Sequence, residues 1–145
     1  MKNYNIFREI GKDLNAEDIA MLSPLHLAYI GDAVYELLVR TYLLTKRLPV
    51  NELHKLSTKY VKAKSQADIV HRLEELLTDK ERAIVRKGRN AKSNTMAKNA
   101  SVIDYKYATG FEALIGYLYI ANMDNRLEEL FEIILNIDIT KEKGD

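Results

Sequence analysis

Two carboxylates stand where carboxylates are expensive. Asp32 lies in the run LAYIGDAVYELLVRTYLL (residues 27–44), flanked by Gly31 and Ala33. Glu112 lies in GFEALIGYLYI (residues 110–120) and is the only charge between Lys106 and Asp124. It also has small neighbours, Gly110 and Ala113. An acid within an apolar helix is costly unless it is paired, hydrogen-bonded or bound to a metal. A glycine inside a helix costs a further ~1 kcal/mol against alanine, but small residues let another helix or a substrate come close. Two lone acids on two apolar helices match the hard-oxygen ligands of Mg²⁺, which takes one or two carboxylates and completes its shell with water and phosphate. Such a site activates water and neutralises charge at a phosphate. The structural alternative is that each acid caps a helix or closes a buried ion pair.

Charge distribution supports a phosphate-rich partner. The net charge is only +1, but residues 82–106 hold seven basic residues against the single acid Asp104. Residues 124–145 hold seven acids against three bases. A nearly neutral chain with a segregated basic segment can bind nucleic acid locally. Arg86, Lys87, Arg89, Asn90, Lys92, Ser93 and Lys98 are the candidate RNA contacts, with Gly88 permitting a turn. A second basic stretch, Lys55, Lys59, Lys62 and Lys64, puts its first three lysines on one helix face. Ordinary solvated surface is the alternative for both stretches.

These residues must be positioned by helices, because the apolar period is helical nearly throughout. Asn15 caps a short helix. Ser23-Pro24 starts the helix that bears Asp32, which runs to about Thr45 and should be buried on every side. Asn51 is expected to cap the next helix, through about Lys62, and Ser65 to begin another, through Leu77. Thr78-Asp79 starts a helix that should end near Gly88. Residues 90–99 read as a polar loop. A helix over residues 102–122 bears Glu112, and a last one spans about 125–135. The outcome is one all-α domain over residues 1–145, with its core at about 16–135.

Other chemistries are poorly supplied. The 145 residues include no cysteine, which excludes disulfides, thiolate metal sites and a cysteine nucleophile. His26, His54 and His71 lack metal-ligand spacing. Ser93, Ser101 and Thr109 have no triad partners in view. Tyr29, Tyr35 and Tyr42 read as core and interface residues. Charges at Lys2, Arg8, Glu9 and Lys12 break any leader-peptide core, and the longest apolar run (residues 113–123) is too short to span a bilayer. A cytoplasmic protein without membrane contact is expected.

IGDAVYE (residues 30–36) and GFEALIGYLY (residues 110–119) together resemble the two catalytic motifs of ribonuclease III endonuclease domains. The likeness covers about residues 16–135. No double-stranded-RNA-binding domain is expected after the second motif, and the stretch from Arg86 to Leu114 is similar to the minimal subgroup built of the catalytic domain alone. The resemblance implies the helical endonuclease fold, an obligate homodimer, and Mg²⁺-dependent hydrolysis of double-stranded RNA to 5′-phosphate and 3′-hydroxyl ends. For the minimal subgroup it implies the large-subunit (23S) ribosomal RNA precursor as substrate, with a ribosomal protein assisting. It assigns Asp32 as the catalytic acid and Glu112 as the metal-binding acid, both holding the ion. Two further family acids are absent, because Ala28 and Thr109 occupy their positions. Glu36, one turn beyond Asp32, either contributes or pairs with a basic residue. Two rival readings are a catalytically silent double-stranded-RNA-binding or ribosome-assembly module, and a helical protein–protein adaptor.

Overall fold

The structure is a computed structural model that describes residues 4–92 and 101–137. Every regular element in those residues is helical. In chain order they are α1 (Ile6–Glu9), α2 (Ala16–Ala20), α3 (Pro24–Leu44), α4 (Val50–Val61), α5 (Ala63–Leu73), a 3₁₀ turn (Glu74–Leu76), α6 (Asp79–Asn90), α7 (Val102–Ile120) and α8 (Asp124–Asn136). No described helix is long and apolar enough to cross a membrane.

Local chemistry starts most of these helices. Asn15 and Asp18 cap one another's backbone N–H groups at α2, and Thr78 and Glu81 do the same at α6. At α3, Ser23 Oγ accepts from His26 N at 3.1 Å while His26 Nδ1 accepts from Ser23 N at 3.2 Å. Ser101 accepts from Asp104 N at the head of α7. Each bond satisfies a donor that the first helical turn leaves open.

Two expected starts are corrected. Asn51 lies inside α4, which begins after Pro49 with no side-chain cap. Ser65 lies buried inside α5. The break between α4 and α5 is a single extended residue, Lys62 (ψ 151°), so α5 resumes at Ala63 before Ser65 is reached. The same break takes Lys62 off the helix face shared by Lys55 and Lys59.

Helix α7, not α3, is the central element. It packs against α3, α5, α6 and α8, and buries Phe111, Leu114, Ile115 and Leu118 completely. Helix α3 buries one face only, through Leu27, Ala28, Gly31, Tyr35, Val39 and Leu43. Its other face leaves Tyr29 82% and Leu37 53% exposed. Tyr35 meets the Phe111 ring edge-on at 4.9 Å and donates its hydroxyl to Tyr60 O at 3.1 Å. A buried ion pair ties α6 to α8: Arg126 donates to both Glu81 carboxylate oxygens, at 3.0 and 2.8 Å, and to Leu76 O. Burial pushes the Glu81 carboxyl up, but hydrogen bonds from Arg126 and Thr78 outweigh it and hold the group below its ordinary range.

Candidate active site

Helices α3 and α7 cross backbone to backbone, and that crossing brings the two acids together. A Cβ on Gly31 would stand 1.7 Å from Glu112 O, and one on Gly116 would stand 1.9 Å from Leu27 O. Only glycine allows this approach at either point. Asp32 follows Gly31 directly, so its carboxyl lies within hydrogen-bonding reach of the Glu112 carboxyl.

The pair is unequal. Asp32 is exposed, contrary to the expectation of a buried aspartate, because it lies on the rim of the face that α3 turns outward. Glu112 is half-buried. Burial, then the Asp32 charge and the hydrogen bond shared with Asp32, push the Glu112 carboxyl up to about 8. A second charge in this place is therefore unfavourable unless a proton or a cation accompanies it.

Gln66 completes the site and was not singled out from the sequence. It is 3% exposed, on α5. Its amide group donates to Val61 O at 2.8 Å and also hydrogen-bonds toward Glu112, opposing the upward shift there. Its Oε1 is buried and has no partner among the described residues. A signal for it existed: Gln66, Ile69, Val70 and Leu73 form an i, i+3, i+4, i+7 stripe, and glutamine is the polar member of that buried face.

The positions that the resemblance gives to two further acids are both buried. Ala28 is buried against Leu27 and Ala113. Thr109 is buried and returns its hydroxyl to Tyr105 O at 3.0 Å. No group of three potential metal-binding side chains occurs among the described residues. Glu36 pairs with Arg40 at 2.8 Å.

The basic candidates divide. Arg86, Lys87 and Asn90 lie exposed on α6, and Lys92 lies exposed just beyond it. Thus α6 runs two residues past the expected end at Gly88, and Gly88 makes no turn. It is buried at a second close crossing, where its Cβ would lie 2.8 Å from Gly110 Cα. Arg89 is half-buried, with its guanidinium 5.2 Å from the Tyr107 ring centroid and Nη1 donating to the Tyr107 hydroxyl at 3.0 Å. Ser93 and Lys98 lie outside the described residues. Lys59, Lys62 and Lys64 are exposed, and Lys55 pairs with Glu52 at 3.8 Å.

Comparison with known proteins gives the family of the chain. The ribonuclease III domain model matches residues 25–123, a span that contains both acids. The chain belongs to the ribonuclease III family. Within it, the chain is 52% identical over 132 residues to the Mini-ribonuclease 3 of Thermoanaerobacter sp., covering 90% of this chain and 93% of that protein. It is 46% identical over 130 residues to the Mini-ribonuclease 3 of Clostridium tetani, covering 88% and 86%. A crystal structure of a Fusobacterium nucleatum protein superposes with a TM-score of 0.75 at 31% identity, covering 81% of this chain and 95% of that one. The ribonuclease III domain and the similarity to Mini-ribonuclease 3 proteins make the chain an endoribonuclease. Ribonuclease III proteins act on double-stranded RNA and are typically dimeric.

Proposed function

We propose that this chain is a Mg²⁺-dependent endonuclease of double-stranded RNA whose centre is Asp32 and Glu112, and whose substrate is the large-subunit (23S) ribosomal RNA precursor. The convergence of two carboxylates at the α3–α7 crossing, one exposed and one half-buried, carries the reading. The donor set fits the ion: two hard oxygen donors stand together, and a buried amide oxygen beside them lacks a partner among the described residues. Bound Mg²⁺ would supply charge neutralisation and water activation at the scissile phosphate.

The chain's own residues do the rest. Asp32 presents its carboxylate on the solvent side, where a phosphodiester can reach it. Glu112 is anchored on the central helix, so its position is set by the core. The Gly31 contact keeps the two at short range without a flexible tether. Exposed Arg86, Lys87, Asn90 and Lys92 supply backbone contacts of the kind that read A-form RNA by shape. Hydrolysis of this type leaves 5′-phosphate and 3′-hydroxyl ends.

The outward face of α3 supports a homodimer. Tyr29, Leu37 and Leu44 are exposed there, next to a groove of about 450 Å³ lined by Ile30, Ala33, Val34, Leu38 and Phe131. A face this apolar is costly in water and is suited to a second copy. The proposed setting is the cytoplasm, with a large-subunit ribosomal protein presenting the RNA.

The test is cleavage of long double-stranded RNA, and of ribosomal RNA precursor with and without ribosomal protein, in Mg²⁺ and in EDTA. Asp32→Asn is run beside the wild type. Cutting that requires both Mg²⁺ and Asp32 is expected. Wild-type cutting by Asp32→Asn refutes the assignment. Salt-sensitive binding without cutting on any substrate favours the silent RNA-binding module, the reading that the absent acids at Ala28 and Thr109 favour.

A further inference from the structure

Among the described residues, Gln66 is the buried side chain whose hydrogen bonding is half finished. Its amide nitrogen donates to Val61 O at 2.8 Å, and the same side chain lies close enough to Glu112 to oppose the upward shift there. The Val61 bond anchors the amide at the end of α4, so the group is held from two sides. Its Oε1 is an acceptor only. It is buried, on a residue 3% exposed, and has no donor among the described residues. A buried acceptor left without a donor costs about 1–3 kcal/mol. An apolar residue in the Ile69–Val70–Leu73 stripe would avoid that cost. Once a cation holds the pair ionised, the carboxylates beside it offer no proton for it. A water that lies against the acid pair is different, since it has protons to give. A cation at the pair strengthens such a donor, because it drains charge from the water's oxygen.

We infer that Gln66 is a positioning residue: its Oε1 accepts a hydrogen bond from a water held at the Asp32–Glu112 pair and so sets how tightly the pair binds a divalent cation. This rests on the metal reading of the pair proposed above. With two family acids absent, the pair has few protein ligands, and water must supply the remaining contacts. Fixing one such water from a buried, doubly anchored amide replaces part of the lost preorganisation. Partners of this outer kind change metal affinity or activity by about 10–100-fold when removed.

Binding of Mn²⁺ alone to the full chain, read from the electron paramagnetic resonance of the free ion, tests this without RNA. Three variants are compared with the wild type, each checked by thermal melting. Gln66→Leu removes donor and acceptor. Gln66→Glu keeps an acceptor oxygen at the same reach but loses the donors. Asp32→Asn reports on the metal reading itself. The expected result is Mn²⁺ affinity lowered about 10–100-fold in Gln66→Leu, held at or above wild type in Gln66→Glu, and lost in Asp32→Asn. If Gln66→Leu does not fold, Gln66→Met, with its unbranched chain, takes its place. Wild-type affinity in a folded Gln66→Leu, with Asp32→Asn defective, overturns the role of Gln66 and leaves the metal pair standing. Equal loss in Gln66→Leu and Gln66→Glu also overturns it, since the donor to Glu112 would then be the part that matters. Undiminished affinity in Asp32→Asn overturns the metal reading, and this inference with it.

Discussion

Replacing Glu112 by glutamine should make the protein more stable at alkaline pH and leave it nearly unchanged at acid pH. The carboxyl is displaced from an ordinary value of 4.5 to about 8, by burial first and then by Asp32. The folded state therefore binds this proton more tightly than the unfolded state. Between those two values the native chain carries more protons than the unfolded one, so its stability must fall as pH rises. The contribution is fully present below about 4.5 and is spent by about 8. At about 1.4 kcal/mol per pKa unit, the span from 4.5 to about 8 sets a ceiling of roughly 5 kcal/mol. Because Asp32 is exposed and water screens its side of the pair, about half of that ceiling is the working expectation. For a domain of this size, about 2–3 kcal/mol corresponds to a melting shift of roughly 10 °C.

The assay is urea denaturation followed by far-ultraviolet circular dichroism, in EDTA, at fixed protein concentration and a series of pH values. Only the difference between Glu112→Gln and wild type is read, so that titrations common to both cancel. The difference should be flat below pH 4.5, rise in favour of the variant, and level off near pH 8. Added Mg²⁺ should then raise the wild type at high pH and leave the variant where it was, because a cation takes over the proton's role. A difference that stays flat across the whole range would refute the geometry, since it would mean that Glu112 titrates as if Asp32 were distant.

Three further outcomes follow from the same contacts. Gly31→Ala should lose about 3 kcal/mol or more together with cleavage, because its Cβ would meet the Glu112 carbonyl at 1.7 Å, whereas Gly11→Ala, which meets only Ile120 Cδ1 at 3.8 Å, should be close to neutral in melting and in activity. Arg126→Met strands the buried Glu81 carboxylate and should cost about 3–5 kcal/mol in urea titration, with most of it regained by adding Glu81→Met. Neutralising Lys87, Arg89 and Lys92 together should flatten the plot of log affinity for duplex RNA against log salt by about 2 rather than about 3, because Arg89 is already committed to Tyr107 while the two lysines are exposed; an unchanged slope removes this segment from the RNA interface.

What could be read from the sequence alone follows how local each cause is. The capped starts at Asn15, Ser23 and Thr78 were legible because cap and capped group lie within four residues. The start of α5 was not, because no side chain caps it and one extended residue sets it. The two acids were legible because charge in an apolar run is conspicuous. Asp32's exposure was not, because the apolar residues of α3 form two faces. One covers this chain's own core and the other, with Tyr29 and Leu37, faces outward, and period alone does not distinguish them. Gly88 was misread for a related reason. A glycine near a polar segment suggests a turn, while the need for it lies across the fold in Gly110. Gln66 sits in a stripe whose other members are apolar, and its use depends on Glu112, forty-six residues away in sequence and adjacent in space.

The same glycines explain how a site short of two acids can still be well ordered. Side-chain ligands held on flexible stems must be fixed one by one, at a cost in rotamer entropy that grows with each. Here the separation of Asp32 from Glu112 is set by main chain against main chain, with Gly31 on the Glu112 carbonyl and Gly116 on the Leu27 carbonyl one turn earlier on α3. The two contacts fix both the distance between the helices and their sliding register. The backbones that bear the pair cannot spread without breaking the α3–α7 interface, and that interface is continuous with the core around Tyr35 and Phe111. The repulsion seen in the Glu112 shift is therefore held by the stability of the whole domain. A domain that spends folding energy to keep two carboxylates close is primed for whatever positive charge relieves them, and on the function proposed above that charge is the ion that also meets the phosphate.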